Sequence, residues 1–360
     1  MNSTVIIRFL ACLSCALAAQ SAAAQGDNAH GGGAADAQQY HFLGFGDIGY
    51  LSRDGTDEDG FVIGQVVAHL VASMGESFSV FGEFSATARD TEYATEVERL
   101  IVKYDFSDRF KLSAGRYHTP IGYWNSAFHH GAWLQTSVSR PEMVRFGSEI
   151  VPIHFVGVLL EGNLPSGDLG LNYKAGFGNG RHANIARAGD AGDINGDKAW
   201  MLQLGARPRK YQAFDIGVGV YNDEIALPLT ADVEETTVSA YAAWSREQPE
   251  VILEYLHSKH EAVGGGASGT TDGWYAQFAW RLSGKQRDWK PYARLEKTEI
   301  DASDPLLGGR GLDYDAGIVG ARWDFNPFAA LKAEYRREEF GNAGRENNFR
   351  LQLSFVLTQL

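Results

Sequence analysis

The sequence has 360 residues, of which 44% are hydrophobic and 12% aromatic, and it carries a formal net charge of −13 at pH 7. This acidity argues against nucleic acid as a partner, because phosphate binding needs a basic patch. After the N-terminal segment, no stretch reaches the roughly 18 consecutive apolar residues of a transmembrane helix, so no such helix is predicted.

The chain begins with a predicted secretory signal peptide, residues 1–24. Arg8 supplies its positive charge, FLACLSCALAA is an apolar run too short to span a bilayer, and an A-x-A site predicts cleavage after Ala24. Both cysteines, Cys12 and Cys15, lie inside it, too early for a lipidation site. The mature chain therefore forms no disulfide, and its net charge changes from −13 to −14 because Arg8 is lost.

Residues 25–39 are small and polar, which predicts a flexible periplasmic leader. From residue 40 onward, short segments with β-strand periodicity follow one another. The predicted strands are 40–52, 61–73, 77–87, 94–106, 109–117, 152–162, 168–178, 198–207, 212–221, 235–246, 250–260, 272–283, 289–299, 312–325, 329–340 and 346–357. The gaps between them alternate in length without exception; for example, RDGTDEDG is long and MGE is short.

Most strands alternate apolar and polar residues, as a wall with one apolar face requires. In the last strand, five apolar residues from Phe349 to Leu357 share one face, whereas Arg350, Gln352 and Ser354 share the other. The strands 61–73 and 152–162 are nearly continuous apolar runs whose faces the pattern does not assign. Aromatic residues cluster near the short gaps or the C-terminus, where a membrane girdle is expected: Tyr104, Phe106, Phe110, Phe214, Trp244, Trp323, Phe325 and Phe355.

These patterns predict an all-β fold, a transmembrane antiparallel β-barrel of about sixteen strands over residues 40–360. The alternative, an antiparallel sheet with one dry face, does not explain aromatic residues at the strand ends. An even strand number places both termini on the periplasmic side of a bacterial outer membrane.

The segment 118–151 is a long insert between two short strands, and long loops are usually functional or disordered. Its aromatic residues, including Trp124, Phe128 and Trp133, argue against disorder, since disordered segments are poor in them. The sequence therefore predicts that this loop, the third long one, folds into the lumen of the barrel.

The run GRYHTPIGYWN, a long loop and the return through PIHFVGV resemble the outer-membrane porins of the phosphate-selective porin O/P group. The resemblance covers most of the mature chain as architecture but is specific only in this stretch. It implies a sixteen-stranded homotrimeric channel whose third extracellular loop narrows the pore. Two features depart from the group: this chain is acidic where phosphate-selective members line the pore with basic residues, and VLTQL follows Phe355 where a terminal aromatic is typical.

Two sets of residues are predicted to act on solutes. The pore constriction is predicted to comprise His118, Trp124, His129, His130, Trp133, Arg140, Glu142, Arg145 and Glu149. The polar faces of the strands predict a lumen charge cluster of Lys103, Asp105, Lys174, Glu254, Arg281, Arg294, Glu296, Arg322, Lys332, Glu334, Arg336 and Arg350.

Three hypotheses about these charges remain open. If the loop packs against the wall opposite the arginines, Glu142 and Glu149 face them and a transverse field sets ion selectivity. Alternatively, Arg140 and Arg145 form a basic constriction that favours anions. The third hypothesis is that the charges pair across strands and only solvate the lumen.

No metal or cofactor site is predicted. The histidines near the loop, His118, His129, His130 and His154, lack a cysteine or a suitably spaced carboxylate to complete a metal site, so packing is the favoured role. Trp124 and Trp133 could instead stack on a sugar. The loop GDAGDINGDK lacks the bidentate glutamate of a calcium loop. Acidic loops that bind divalent cations shared with lipopolysaccharide are a further hypothesis.

The chain contains none of the motifs G-x-S-x-G, H-E-x-x-H or G-x-x-x-x-G-K, so we predict that it is not an enzyme. The expected function is a porin that lets small hydrophilic solutes or ions, including anions such as phosphate, diffuse passively. The expected partners are these solutes, outer-membrane lipid, lipopolysaccharide and further copies of the chain. The alternatives are an outer-membrane hydrolase and a plugged adhesin or structural barrel.

Overall fold

The computed structural model describes residues 38–54, 59–89, 92–128, 131–341 and 344–358. The predicted signal peptide and most of the predicted leader lie outside these residues. Sixteen β-strands form one closed antiparallel barrel, in which each strand pairs with its sequence neighbours and β1 pairs with β16. The predicted strand number and barrel closure are therefore confirmed.

The strands begin and end as follows: β1 (Gln38–Arg53), β2 (Gly60–Met74), β3 (Phe78–Ala88), β4 (Tyr93–Ser107), β5 (Phe110–His118), β6 (His154–Asn163), β7 (Leu171–Asn179), β8 (Lys198–Ala206), β9 (Phe214–Ile225), β10 (Val233–Ser245), β11 (Glu250–Ala262), β12 (Ser268–Ala279), β13 (Trp289–Ile300), β14 (Tyr314–Asn326), β15 (Ala329–Phe340) and β16 (Arg345–Thr358). One short α-helix, α1 (Trp124–Ala127), lies in the connection between β5 and β6. None of the helices among these residues has the length and apolar character needed to cross a membrane.

The predicted strict alternation of long and short connections is wrong. At one end of the barrel the connection 89–92 is short, whereas 280–288 at the other end is longer. The main cause is the position of β12. It was predicted to span 272–283 but spans Ser268–Ala279, because residues from Ser268 onward already pair with β11. Residues after Ala279 then fold into a turn with a 3-10 helix at Gly284–Gln286.

The outer face of the barrel is apolar along most strands, as predicted. Leu295 of β13 and Val319 of β14 are 58% and 55% exposed, although they lie in the middle of their strands. Near the short turns, the rings of Trp289 and Trp323 stack with centroids 5.4 Å apart. The ring of Phe106 is tilted against that of Tyr104 and meets that of Phe110 edge-on, with centroids 4.7 and 5.1 Å apart. An apolar surface bordered by aromatic residues is typical of barrels that span membranes.

The structure assigns the faces that the sequence left open. In β2, Val67 and His69 point inward, whereas Val66 and Leu70 are exposed outside. In β6, the buried Phe155 lies on the inner face. The start of β1 and the end of β16 lie at the same end of the barrel, because Leu43 pairs with Thr358.

Candidate functional site on the inner wall

The described residues of the connection between β5 and β6, 119–128 and 131–153, lie against the inner face of the barrel. We call this connection the inner loop. Ile121 packs beside Met201 and Tyr221 of β8 and β9. Trp124 is fully buried and meets the ring of Tyr275 of β12 edge-on at 5.8 Å. The inner loop thus reaches from its base at β5 and β6 across the wall formed by the later strands.

Further along, the inner loop reaches the opposite edge of this wall. Trp133 packs in one buried cluster with Phe45 of β1 and Ala330 of β15. Met143 and Ile150 then return to the cluster around Trp124. These contacts cover much of the inner face from β8 to β16 and on to β1.

Arg294 of β13 is the centre of the polar contacts that hold the inner loop. Its side chain is fully buried. Nη1 donates to Ser137 Oγ and Ser139 O, both at 3.0 Å, and Nη2 donates to Ser139 Oγ at 2.8 Å and to Arg140 O at 3.2 Å. Glu296 balances the charge, with Oε1 2.7 Å from Arg294 Nε. A charged group in this position is tolerated because its hydrogen bonds and its charge are both satisfied.

Two neighbouring cations bind the inner loop through backbone carbonyl groups. Arg322 of β14 donates to Trp133 O at 2.5 Å and to Gln135 O at 3.0 Å, and its guanidinium lies 4.7 Å from the Trp133 ring centroid. Lys332 of β15 donates to Ser137 O at 3.1 Å and also to Ala132 O. Cations of the wall therefore meet carbonyl dipoles of the loop.

Three glutamates on the same wall accept hydrogen bonds from backbone N–H groups of the inner loop. Glu334 Oε2 accepts from the N–H groups of residues 138 and 139 at 3.1 and 3.2 Å. Glu254 Oε2 accepts from Trp124 N at 3.0 Å and from Tyr275 OH at 2.8 Å. Glu296 Oε2 accepts from Glu142 N at 2.5 Å. Fixed charges of the strands thus hold an irregular backbone that has few partners of its own.

The hypothesis of a transverse field requires the loop to pack opposite the arginines, whereas its described residues lie against the arginine wall. Glu142 instead forms an ion pair with Arg145 of its own turn, and burial raises the pKa of Glu142 while Arg145 lowers it in part. Glu149 forms an ion pair with Arg310 at 2.9 Å. The physical reason is that the loop lies directly on the arginine wall, where its backbone satisfies the wall charges.

The basic constriction proposed for Arg140 and Arg145 also differs in detail. The guanidinium of Arg140 donates to Val144 O at 2.7 and 3.0 Å and lies over the Phe146 ring at 4.1 Å. Arg145 is exposed and pairs with Glu142. His129 and His130 lie outside the described residues, whereas His118 and Trp124 are buried at the base and on the wall.

The remaining charges of the predicted lumen cluster divide into paired and unpaired groups. Lys103 pairs with Glu161 at 2.6 Å, with Asp105 3.7 Å away, and Arg336 pairs with Glu338 at 2.7 Å. Arg281 lies in the turn after β12, outside the strands, where it pairs with Glu247 and Asp324. Across the described residues, the inward-facing Lys174 and Arg350 form no direct hydrogen bond or ion pair, although Glu161 attracts Lys174 and Glu334 attracts Arg350 from a greater distance.

The sequence singled out His118 and His154, but not the second polar group that they join at the base of the inner loop, on β2 to β6. We call it the base cluster: His69, Glu83, Glu98, Arg99, Arg116, His118 and His154. A β-bulge in β4 builds it, because Arg99 pairs with Glu83 and Val97 pairs with the next residue of β3. Glu98 is the extra residue, so Glu98 and Arg99 both join the cluster. Strict alternation along the strand would turn only one of these two adjacent side chains inward, so the sequence pattern does not predict the cluster.

A third polar group lies where the connection 301–313 meets β10 and β11. His260 is fully buried, with Nδ1 2.6 Å from Asp304 Oδ2 and Nε2 3.1 Å from Glu235 Oε2. Asp304 Oδ1 accepts from the N–H groups of Leu306 and Leu307 at 2.8 and 2.9 Å. Burial raises the pKa of Asp304, but His260 and these two N–H groups outweigh burial and hold it below its ordinary value.

The acidic segment 189–198 is engaged with neighbouring residues. Asp190 pairs with Arg116 at 2.7 Å and Asp193 pairs with Lys198 at 3.0 Å. The amide of Asn195 donates to Glu224 O at 2.6 Å. Within the described part of the chain, no group of three or more His, Cys, Asp or Glu side chains has a geometry that could hold a metal ion.

No family model and no curated protein matches the chain. Several solved structures do. The anion-selective porin from Comamonas acidovorans superimposes with a TM-score of 0.65 at 9% identity, over 89% of this chain and 100% of that porin. OmpT, an outer membrane protein of Vibrio cholerae solved in a trimer form, superimposes with a TM-score of 0.60 at 15% identity, over 89% of this chain and 100% of OmpT. The outer membrane channel DcaP of Acinetobacter baumannii superimposes with a TM-score of 0.57 at 10% identity, over 89% of this chain and 97% of DcaP. At these identities the likeness establishes the fold, and this chain has the barrel fold of outer-membrane porins.

Proposed function

We propose that the protein is a porin through which small hydrophilic solutes and ions diffuse passively. The observation that carries the proposal is the inner loop, which charged side chains such as Arg294 and Glu334 fix to the inner wall of a closed barrel. A loop held in this way limits the cross-section of the lumen. The charges near it bias which ions pass, as charged clusters do in other pores.

We propose an anion preference within this function, for inorganic anions such as phosphate, as in the phosphate-selective porin O/P group. Lys174 and Arg350 support it, because among the described residues these inward cations have no ion-pair partner. An unpaired guanidinium can bind a carboxylate or phosphate in a bidentate fashion. The fold neighbour from Comamonas acidovorans, an anion-selective porin, is consistent with this preference. The net charge of −13 is a weaker guide, because much of it lies in the connections.

We also propose an outer-membrane location with periplasmic termini, a homotrimeric assembly and no enzymatic activity. The apolar outer face with aromatic borders supports the location, and a neighbour solved in a trimer form supports the assembly. Outer-membrane lipid and lipopolysaccharide are the partners of such a surface.

A plugged structural barrel is the second candidate. The dense packing of the inner loop favours it, since Trp124 and Arg294 are almost completely buried inside the barrel.

Single-channel recording of the refolded protein in a planar bilayer tests the proposal. We expect stable ohmic steps that close in three equal sublevels, and a reversal potential in a potassium chloride gradient that indicates chloride preference. Folded, inserted protein without conductance would contradict the porin and favour the plugged barrel. Ohmic steps with potassium preference would contradict only the anion preference.

A further inference from the structure

We propose that the three histidines of the base cluster set the ion selectivity of the channel, so that anion preference increases as the pH falls. The inference rests on the proposed function and adds a control of that same pore. It assigns a selectivity role to His69, His118 and His154, with the carboxylates of Glu83 and Glu98 as their partners.

The histidines lie at the two ends of the inner loop. His118 is the last residue of β5 and His154 the first of β6, and the two form a cross-strand pair with ring centroids 5.5 Å apart. His69 of β2 lies beside them, between the rings of Phe45 and Phe81 at 5.2 and 5.5 Å. The inner loop therefore begins directly after one imidazole group, that of His118, and ends directly before another, that of His154.

Each histidine faces a buried carboxylate. Glu83 Oε1 lies 2.7 Å from His69 Nε2, and Glu83 Oε2 lies 3.3 Å from His118 Nε2. Glu98 Oε2 lies 3.0 Å from His154 Nε2. Glu83 and Glu98 are 0% and 4% exposed, so water screens these charges less than it would at the surface.

The set also contains fixed cations and further carboxylates. Arg187 pairs with Glu96 at 2.7 Å and interacts electrostatically with Glu98 and Asp190. Arg99 of β4 forms an ion pair with Glu83, and Arg116 of β5 lies 3.7 Å from Glu98. Asp190, from the connection after β7, pairs with Arg116 at 2.7 Å. Arg140 of the inner loop interacts electrostatically with both glutamates. Ser85 donates to Glu98 at 2.5 Å.

The charges of this set balance only while the histidines are neutral. Among the named groups, four carboxylates, on Glu83, Glu96, Glu98 and Asp190, then oppose four guanidinium groups, on Arg99, Arg116, Arg140 and Arg187. Histidine is the side chain whose charge ordinarily changes between pH 5 and 8. Protonation adds up to three positive charges to these named groups. The net charge of the groups at the base of the inner loop therefore becomes positive at acidic pH.

The test measures the chloride-to-potassium permeability ratio from reversal potentials at pH 8 and pH 5. We expect the ratio of the unmodified protein to rise about threefold on acidification, because unit charges added on the inner wall act through a medium of lower dielectric than water. The variant in which His69, His118 and His154 are all replaced by asparagine should lose this rise. His257→Asn is the matched control, since His257 pairs with Asp272 in exposed positions of β11 and β12. It should keep the rise.

A second variant tests the charge set without replacing a histidine. Glu98→Gln removes one carboxylate, so at pH 8 it should raise the chloride preference above that of the unmodified protein. This variant keeps the proposal testable if the triple variant does not fold.

The outcomes separate this inference from the proposed function. Ohmic channels whose selectivity is the same at pH 8 and pH 5 would overturn the inference alone. A rise that persists in the triple variant, or no effect of Glu98→Gln at pH 8, would also overturn it. Inserted protein without any channel would overturn both proposals.

Discussion

Buried charged side chains in this barrel act mainly as anchors for backbone. Arg294, Lys332 and Glu334 are 1%, 0% and 1% exposed, and each bonds the inner loop. Isolated charges in such positions would be strongly unfavourable. Here the carbonyl and N–H groups of the inner loop form hydrogen bonds with the charged side chains, so the polar groups of both partners are satisfied. Removing one partner therefore leaves the other buried and unpaired.

We predict that Arg294→Gln lowers the free energy of unfolding by about 3–5 kcal/mol, because it leaves Glu296 without its cation and removes bonds to the inner loop. Lys297→Gln on the same strand is the control. Lys297 pairs with the exposed Glu299, and exposed pairs contribute little, so we expect no measurable loss. Denaturant unfolding in detergent measures both. Equal stabilities of the two variants would contradict the anchoring role of Arg294.

At the scale of the element, the inner loop depends on a tight turn before Trp124. Gly122 has a φ of +71°, a left-handed conformation that suits glycine. A Cβ atom at this position would overlap the carboxylate of Glu254. Close approach of this backbone to Glu254 permits the bond from Trp124 N to Glu254. The absence of a side chain at Gly122 therefore allows both the turn conformation and the close contact with Glu254 on the wall.

Gly147 offers a matched comparison, because its φ is +72° and no other residue lies within 4 Å of the position that a Cβ atom would take. We predict that Gly147→Ala costs ~1–2 kcal/mol from backbone strain alone. Gly122→Ala should cost ~1–3 kcal/mol more, because Glu254 must move and leave a buried partner unsatisfied. Unfolding curves measure the difference, and faster protease cleavage within residues 119–153 should accompany only Gly122→Ala. Similar losses in both variants would show that the contact with Glu254 is unimportant.

At the scale of the whole molecule, the barrel separates an apolar outside from a charged inside. Leu295 is exposed on the outer face of β13, between Arg294 and Glu296, which both point inward. A shift of one residue in register would exchange these faces and place charges outside. The closed order of the strands removes free edges, so every strand has two partners.

We predict that Leu295→Arg destabilises the barrel in lipid by about 2–4 kcal/mol, the cost of an arginine near the centre of a bilayer. Glu299→Arg lies on the same face near the end of β13, where we expect a cost of about 0–1 kcal/mol. Folding titrations in vesicles measure both. If the two variants behave alike, this face of β13 does not contact the lipid core.

Much of the fold follows from local patterns. Alternation in β16, from Phe349 to Leu357, predicted its outer face, and the structure agrees. The sequence also singled out the segment around Trp124 and the wall arginines. It did not predict their contact, because a bond such as that from Arg294 to Ser139 O joins positions far apart in the chain. The connections after β3 and β12 were misjudged because pairing with neighbours, and not local composition, decides where a strand ends.

The sequence by itself determined a sixteen-stranded barrel with a long inserted loop, because a two-residue period and the spacing of turns are local properties of the chain. The tertiary structure alone decided on which wall the loop lies and which charges remain unpaired. It also gathered His69, His118 and His154 around Glu83 and Glu98, through a bulge that breaks the alternation. Which charges meet depends on the closure of the barrel, and no local pattern encodes that geometry.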